Sequence, residues 1–280
     1  MRKLPQPIIQ GVDTLKLCAT SIRSIELKEK IKSIEKSVSN AEHEYRLRGA
    51  LEELYLIDSH KNIQKCLTGK EMERIYNNTF VKSAQTRNIY DKIKKSCEND
   101  ICPLCGQGTV NQLDHYLPIS DFPIYGVSPI NLVPACSDCN KNKLARWANT
   151  ANEQTLHPYF DDIEQERWLY AEVIEMRPAA IRFYVKPPVQ WGVTTHERIR
   201  THFTTFGLAS LYATHAAIEI SNIRFSLQRL AQGIDYTKKI SFHLKEKAES
   251  CMHARLNSWQ SASYDAMANS DWFCSEGFML

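Results

Sequence analysis

With 280 residues, 43% of them hydrophobic and 24% charged, the chain is long enough to bury a sizeable core and too apolar for a disordered tail. There is no apolar run of about 18 residues, and the start MRKLPQPIIQG is charged with no apolar region behind it, so neither a membrane span nor a secretory signal is expected. A net charge of +3 is too small to point to nucleic acid by itself.

Nine cysteines would suggest disulfides in a small secreted domain. Here four form two C-x2-C pairs, Cys102/Cys105 and Cys136/Cys139, and Cys18, Cys66, Cys97, Cys251 and Cys274 are scattered singly. That usage fits a reducing cytoplasm, where the protein is expected to reside.

In chain order, residues 1–10 contain Pro5 and Pro7 and read as extended. From about Val12 to His60, helix-formers carry apolar residues at three- and four-residue spacing (Ile22, Ile25, Ile31, Ile34, then Leu47, Leu51, Leu54). A break is expected near Ser37–Asn40, giving two or three helices. A further helix is expected after Thr68, with Glu71 placed for a capping box, running to about Cys97. Between Lys61 and Lys95, nine Lys/Arg face three acids. Such a cluster, which includes Lys92, Lys94 and Lys95, is a solvated helix face or a phosphate-contacting one. By contrast, residues 98–146 hold five acids and three bases. Beyond Asn149, WLYAEVIEM (168–176) and AIRFYVKPP (180–188) read as a β-hairpin around Arg177-Pro178. Helical patterning resumes beyond Thr194 and continues to about Trp259, and a tail with Trp272, Phe273 and Phe278 is expected to dock on the body.

These elements predict a mainly α fold with a small β component. Three regions are expected: helical residues 1–97, a cysteine-rich centre at 98–150, and a β-hairpin with helices at 151–280.

The centre carries the chemistry. A closed Zn²⁺ site takes four tetrahedral N/S ligands, and each C-x2-C brings two thiolates onto one turn, so Cys102, Cys105, Cys136 and Cys139 are expected to hold a structural zinc ion. Thirty residues separate the pairs, longer than in the shortest zinc ribbons, so the intervening segment reads as a functional insertion. Within and beside it lie LDHYLP, NLVPAC and CNKNK.

These motifs together resemble the HNH nucleases of the His-Me finger (ββα-metal) group, in the version braced by two C-x2-C pairs. The stretch is also similar to the HNH domain of CRISPR effector nucleases, and the resemblance covers about 45 residues. It implies His115 as general base, Asp114 and Asn140 as ligands of a catalytic Mg²⁺ or Mn²⁺, and Asn131 as a brace of the loop and the His-bearing strand. It further implies phosphodiester cleavage to a 5′-phosphate and a 3′-hydroxyl, with DNA favoured over RNA. The chemistry agrees independently: a neutral imidazole can take a proton from water near pH 7, and a divalent ion offsets charge on the phosphate.

Lys141 and Lys143 are expected phosphate contacts, with solvated lysines as the alternative for Lys143. His157, in LHPYFD before Asp161 and Asp162, is either an additional site residue or a packed turn. His215 reads as a core histidine. Stand-alone HNH proteins with helical extensions resemble nuclease subunits of bacterial anti-phage systems, including Septu-type and retron-associated ones, in which an ATPase accompanies the nuclease. The chain has no G-x4-G-K-[ST] of its own, so the ATPase would be a partner. A modification-dependent restriction enzyme is the rival within the enzyme class. The alternative outside it is a non-catalytic, zinc-braced nucleic-acid-binding or adaptor subunit.

Overall fold

The computed structural model of the protein describes residues 1–279. The chain forms two compact units, Met1–Asp162 and Ile163–Leu280. Among the described residues it is mainly helical with three two-stranded antiparallel sheets. The N-terminal helices and the cysteine-rich centre share the first unit, and residues 151–162 belong with them.

The first unit begins with α1 (Gly11–Ser21) and α2 (Ile25–Ala50). The break falls at residues 22–24, where the Ser24 hydroxyl caps α2 by accepting from the Leu27 amide, and not at Ser37–Asn40. Those residues continue α2 because Ser39 and Asn40 face solvent while Val38 keeps the buried stripe in register. That stripe runs Ile31, Ile34, Val38, Glu42, Tyr45, Gly49, whereas Ile25, Leu47 and Leu51 lie exposed. Gly49 is required there: a Cβ would sit 2.5 Å from the Phe160 ring. Buried Glu42 accepts from the Gly11 amide at the start of α1 and pairs with Arg46.

A two-residue hairpin, β1 (Asn62–Ile63) and β2 (Leu67–Thr68), leads into α3 (Gly69–Ile75). The expected capping box is present, with Thr68 and Glu71 each accepting from the other's backbone N–H. The single helix expected to run on to Cys97 is instead two. A wide turn at Tyr76–Phe80 interrupts it, and Ser83 caps a new helix, α4 (Ala84–Lys94). Buried Thr86 seals the junction by donating to the carbonyls of Thr79 and Phe80.

Next come β3 (Gln112–His115), a long loop, β4 (Leu132–Ala135) and α5 (Ser137–Lys143). The strands pair antiparallel with Asp114 opposite Val133 and His115 opposite Leu132. One core joins helices and hairpin: Leu15, Ile31, Ile34, Met72, Phe80, Ile89 and Ile93 pack with Leu113, Val127 and Leu132. At ~25 cal/mol per Å² of apolar surface removed from water, such burial is the main force holding the hairpin on the helices.

The second unit is built on the hairpin β5 (Leu169–Ile174) and β6 (Ala180–Val185), in the expected place. Its inward Ile181 and Phe183 alternate with exposed Arg182 and Tyr184. Helices α6 (Val193–Thr205), α7 (Leu208–Leu230) and α8 (Tyr236–Ala254) follow. A further helix, α9 (Trp259–Ala268), occupies what reads in sequence as tail and packs on β5 and α8. Phe273 and Phe278 beyond it are buried, so the tail docks. His215 is partly covered and stacks on Trp259, 5.7 Å between ring centres. Among the described residues, no helix is long and apolar enough to cross a membrane.

Candidate functional site

The four paired cysteines converge. Cys102 and Cys105 lie on a tight knuckle: the Cys102 amide donates to the Gly108 carbonyl (2.7 Å) and the Gly106 amide to the Cys102 carbonyl (2.8 Å). Gly106 adopts φ +68°, where glycine carries no Cβ penalty. Gly108 is required for space, since a Cβ there would stand 2.7 Å from Cys136 Sγ. Cys136 caps α5 and Cys139 lies in its first turn. All four sulfurs are buried, reduced and within 4.8 Å of one another, with Cys105 Sγ and Cys136 Sγ 3.9 Å apart. A tetrahedron with metal–sulfur bonds of ~2.3 Å has edges of about 3.8 Å, so the set can hold a structural metal such as zinc. The thiols share their protons: hydrogen bonds among them, Cys102 foremost, hold Cys105 below the usual thiol range and raise Cys102 and Cys139, and a soft metal binding the set would displace the protons that remain.

Asp114 and His115 end β3, beside the C-terminal end of α5. His115 Nε2 lies 2.8 Å from the Gly126 carbonyl. A carbonyl only accepts, so Nε2 carries the hydrogen and Nδ1 keeps its lone pair. The Tyr76 ring meets the imidazole edge-on, centres 4.5 Å apart. Burial brings the His115 pKa down to about 4, the Gly126 bond opposes this, and the Lys143 charge adds to it. The ring is therefore neutral at pH 7.

Lys143, expected as a phosphate contact or a solvated lysine, is turned inward and 4% exposed. Its Nζ lies 3.3 Å from Asp114 Oδ2 and donates to the His115 carbonyl (2.7 Å). Asp114 is itself only 7% exposed, and burial raises its pKa against the pull of Lys143. Half-buried Asn140 stands three residues before Lys143 on α5, a spacing that puts both on one helix face. The Lys143 ammonium already compensates the Asp114 carboxylate, so a divalent ion could use that oxygen only in place of the ammonium. Asp114 and Asn140 supply two protein ligands at most, so other positions would fall to water or substrate. Among the described residues, the cysteine quartet is the only group of three or more His, Cys, Asp or Glu side chains placed to hold a metal.

Asn131 is fully buried and closes the loop that links the two strands. Its Oδ1 accepts from the Leu117 amide (2.8 Å) and the Tyr45 hydroxyl (3.0 Å), and its Nδ2 donates to the Leu117 carbonyl (3.0 Å). His157 belongs to the same network. Its Nδ1 accepts from the Tyr159 amide (3.1 Å), which leaves Nε2 as donor to Tyr45 Oη (3.1 Å), and Asp161 accepts from the His157 amide (2.6 Å). His157 is 1% exposed, so it is the packed turn of the two alternatives. Tyr159 donates to the Leu132 carbonyl on β4 (2.8 Å). Sequence reasoning did not find Tyr45, Tyr76 or Gly126, which lie far from the motif or carry no chemical signal. Only the tyrosine on the buried stripe of α2, a polar group needing a partner, marks Tyr45 out.

The basic cluster is arranged along α3, α4 and the turns beside them. Lys61, Lys65, Lys70, Arg74, Lys82, Lys92 and Lys95 are exposed, and Lys94 is partly covered. Arg87 is taken up by Asp91. Helix α4 packs its buried face against β3 and β4, and Tyr76 touches His115, so the elements that carry the basic cluster adjoin the hairpin. Lys141 is exposed on α5.

No family model matches the chain, and no solved structure matches it. It is similar to protein ea31 of Escherichia phage lambda, 29% identical over 293 aligned positions that cover 98% of this chain and 99% of that protein.

Proposed function

We propose that the protein is a metal-dependent endonuclease of the HNH, ββα-metal type, hydrolysing phosphodiester bonds with DNA in preference to RNA. The observation that carries the reading is the His115 tautomer: Nε2–H held by the Gly126 carbonyl leaves the Nδ1 lone pair as the ring's only proton acceptor. Its setting supports the same reading. Two antiparallel strands followed by a helix place His115 and Asp114 on β3 and Asn140 on α5, with a cysteine quartet able to hold Zn²⁺ bracing both ends.

In this mechanism His115 takes the proton from the attacking water. Asn131 keeps the loop closed so that Gly126 stays on the imidazole. Asp114 and Asn140 would hold Mg²⁺ or Mn²⁺, which offsets the charge that builds on the phosphate and the leaving 3′-oxygen. The exposed lysines of α3, α4 and α5 supply sequence-independent affinity for the backbone. The water oxygen bonds to phosphorus as the P–O3′ bond breaks, and the leaving 3′-oxygen takes a proton from solvent, giving a 5′-phosphate and a 3′-hydroxyl. In anti-phage defence the chain would work with an ATPase partner, since it carries no G-x4-G-K-[ST] of its own.

Supercoiled plasmid and single-stranded RNA, incubated with Mg²⁺ or Mn²⁺ and with co-purifying proteins, test the proposal. Nicking that disappears in His115→Ala is expected; cleavage that survives in His115→Ala would refute the role of that residue. The second reading, a non-catalytic zinc-braced nucleic-acid-binding or adaptor subunit, is favoured by one observation, the Lys143 ammonium already beside Asp114. It predicts binding without cleavage under every condition.

A further inference from the structure

We infer that Lys143 is an internal cation that competes with the divalent ion for Asp114 and passes to a nucleic-acid phosphate when that ion binds, so that metal and nucleic acid bind cooperatively. This inference rests on the endonuclease reading and adds to it a control on when the metal site fills.

A lysine is seldom as buried as Lys143 unless it is paired, and its two acceptors are the Asp114 carboxylate and the His115 carbonyl. Both belong to the residues proposed to hold the ion and the base. An ammonium 3.3 Å from Asp114 Oδ2 neutralises the carboxylate and occupies one approach to it. A divalent ion on the same oxygen would lie within a few ångströms of that ammonium, in surroundings that screen little, and the two charges repel. Metal entry therefore requires the lysine to leave.

The lysine is built to do so. It is the last residue of α5, and Leu144 after it turns the chain out of the helix at φ 53°, ψ −147°. Its flexible four-carbon stem thus hangs from a helix end, one turn beyond Asn140. An ammonium released from Asp114 stays beside the site, where a bound phosphodiester offers the nearest compensating negative charge. The same residue thus excludes the ion from the resting protein and favours it in the nucleic-acid complex, which by linkage makes each ligand tighten the other.

Mn²⁺ binding to the full chain, measured by calorimetry and by paramagnetic resonance of free Mn²⁺, tests this with and without a short DNA duplex, in a His115→Ala background that prevents cleavage. Lys143→Gln and Lys143→Met are expected to bind Mn²⁺ on the order of 10-fold tighter without DNA, and to lose the comparable tightening that DNA produces when Lys143 is present. Equal or weaker Mn²⁺ affinity in folded Lys143 variants overturns the competition while leaving the endonuclease reading intact. Absence of any Mn²⁺ site abolished by Asp114→Asn overturns both. A measurement without Lys143 variants covers the case in which they fail to fold. Adding Mn²⁺ and DNA should expose Lys143 to an amine-acylating reagent, read by peptide mass, and unchanged protection overturns the inference.

Discussion

Replacing Asn131 by alanine removes three hydrogen bonds from a residue with no solvent exposure. The Tyr45 hydroxyl keeps its contact with His157, but the Leu117 amide and carbonyl lose their partners inside a loop that water does not reach. A buried polar group left unsatisfied costs ~1–3 kcal/mol, so two backbone groups and one weakened hydroxyl give a loss of about 3–5 kcal/mol for Asn131→Ala. Asn131→Asp keeps both accepted bonds and loses the donated one. It also buries a carboxylate, so its deficit should grow as pH rises and that group ionises. The two units need not unfold together, so urea unfolding should be paired with amide exchange at Leu117, which reports on this loop. A loss below about 1 kcal/mol for Asn131→Ala at unchanged urea dependence, with Leu117 exchange unaltered, would refute the reasoning.

Further outcomes follow from the same geometry. Burial lowers His115 from 6.5 to about 4, so between those values the unfolded chain takes up a proton that the folded chain refuses. Stability contributed by the neutral ring is complete above about pH 6.5 and is lost as pH falls toward 4. The full loss is up to about 3 kcal/mol, and His115→Gln should flatten that part of the urea midpoint against pH. Cys139→Ser, or a strong chelator, should remove one equivalent of zinc and lower the melting temperature by roughly 10 °C; metal analysis finding no zinc in the purified protein would overturn the site. Glu71→Ala breaks the capping box of α3 and should cost ~1 kcal/mol by thermal melting. The Glu71 carboxylate is held down to about 2, chiefly by the Thr68 amide and then by Lys30, so that stabilisation is present above the usual carboxylate range and lost only as pH falls toward 2.

Much of this arrangement is legible in the sequence because its signals are local. The C-x2-C pairs bring thiolates together by short turns, Thr68 and Glu71 carry their own capping geometry, and β5 and β6 alternate visibly. What escapes depends on distant partners. The uninterrupted α2 follows from Val38 carrying the buried stripe through the otherwise polar Ser37–Asn40, and the split at Tyr76–Phe80 depends on Thr86 closing back on the turn. Lys143 is the clearest case, since a lysine in CNKNK has every local reason to face water. Only the hairpin folded against α5 shows that a buried carboxylate claims it. His157 is likewise undecidable from HPY alone, because its role is set by Tyr45 on a helix more than a hundred residues earlier.

The bonds from Tyr45 and Tyr159 into the hairpin and its loop bear on how this centre can change. Besides its bonds to Leu117, Asn131 accepts from Tyr45, and Leu132 accepts from Tyr159, partners that lie outside 98–150 on both sides of it, and Val127 and Leu132 pack with residues of α1 and α2. A fragment cut at those boundaries would carry every proposed catalytic and metal-binding residue and the Asn131–Leu117 bonds, yet lose the bonds from Tyr45 and Tyr159 and the apolar core beneath them. The centre is therefore not a portable cassette. Transplanting it to another scaffold means moving the whole Met1–Asp162 unit, and drift in α2 or the HPY turn is constrained by the chemistry of residues it never adjoins in sequence.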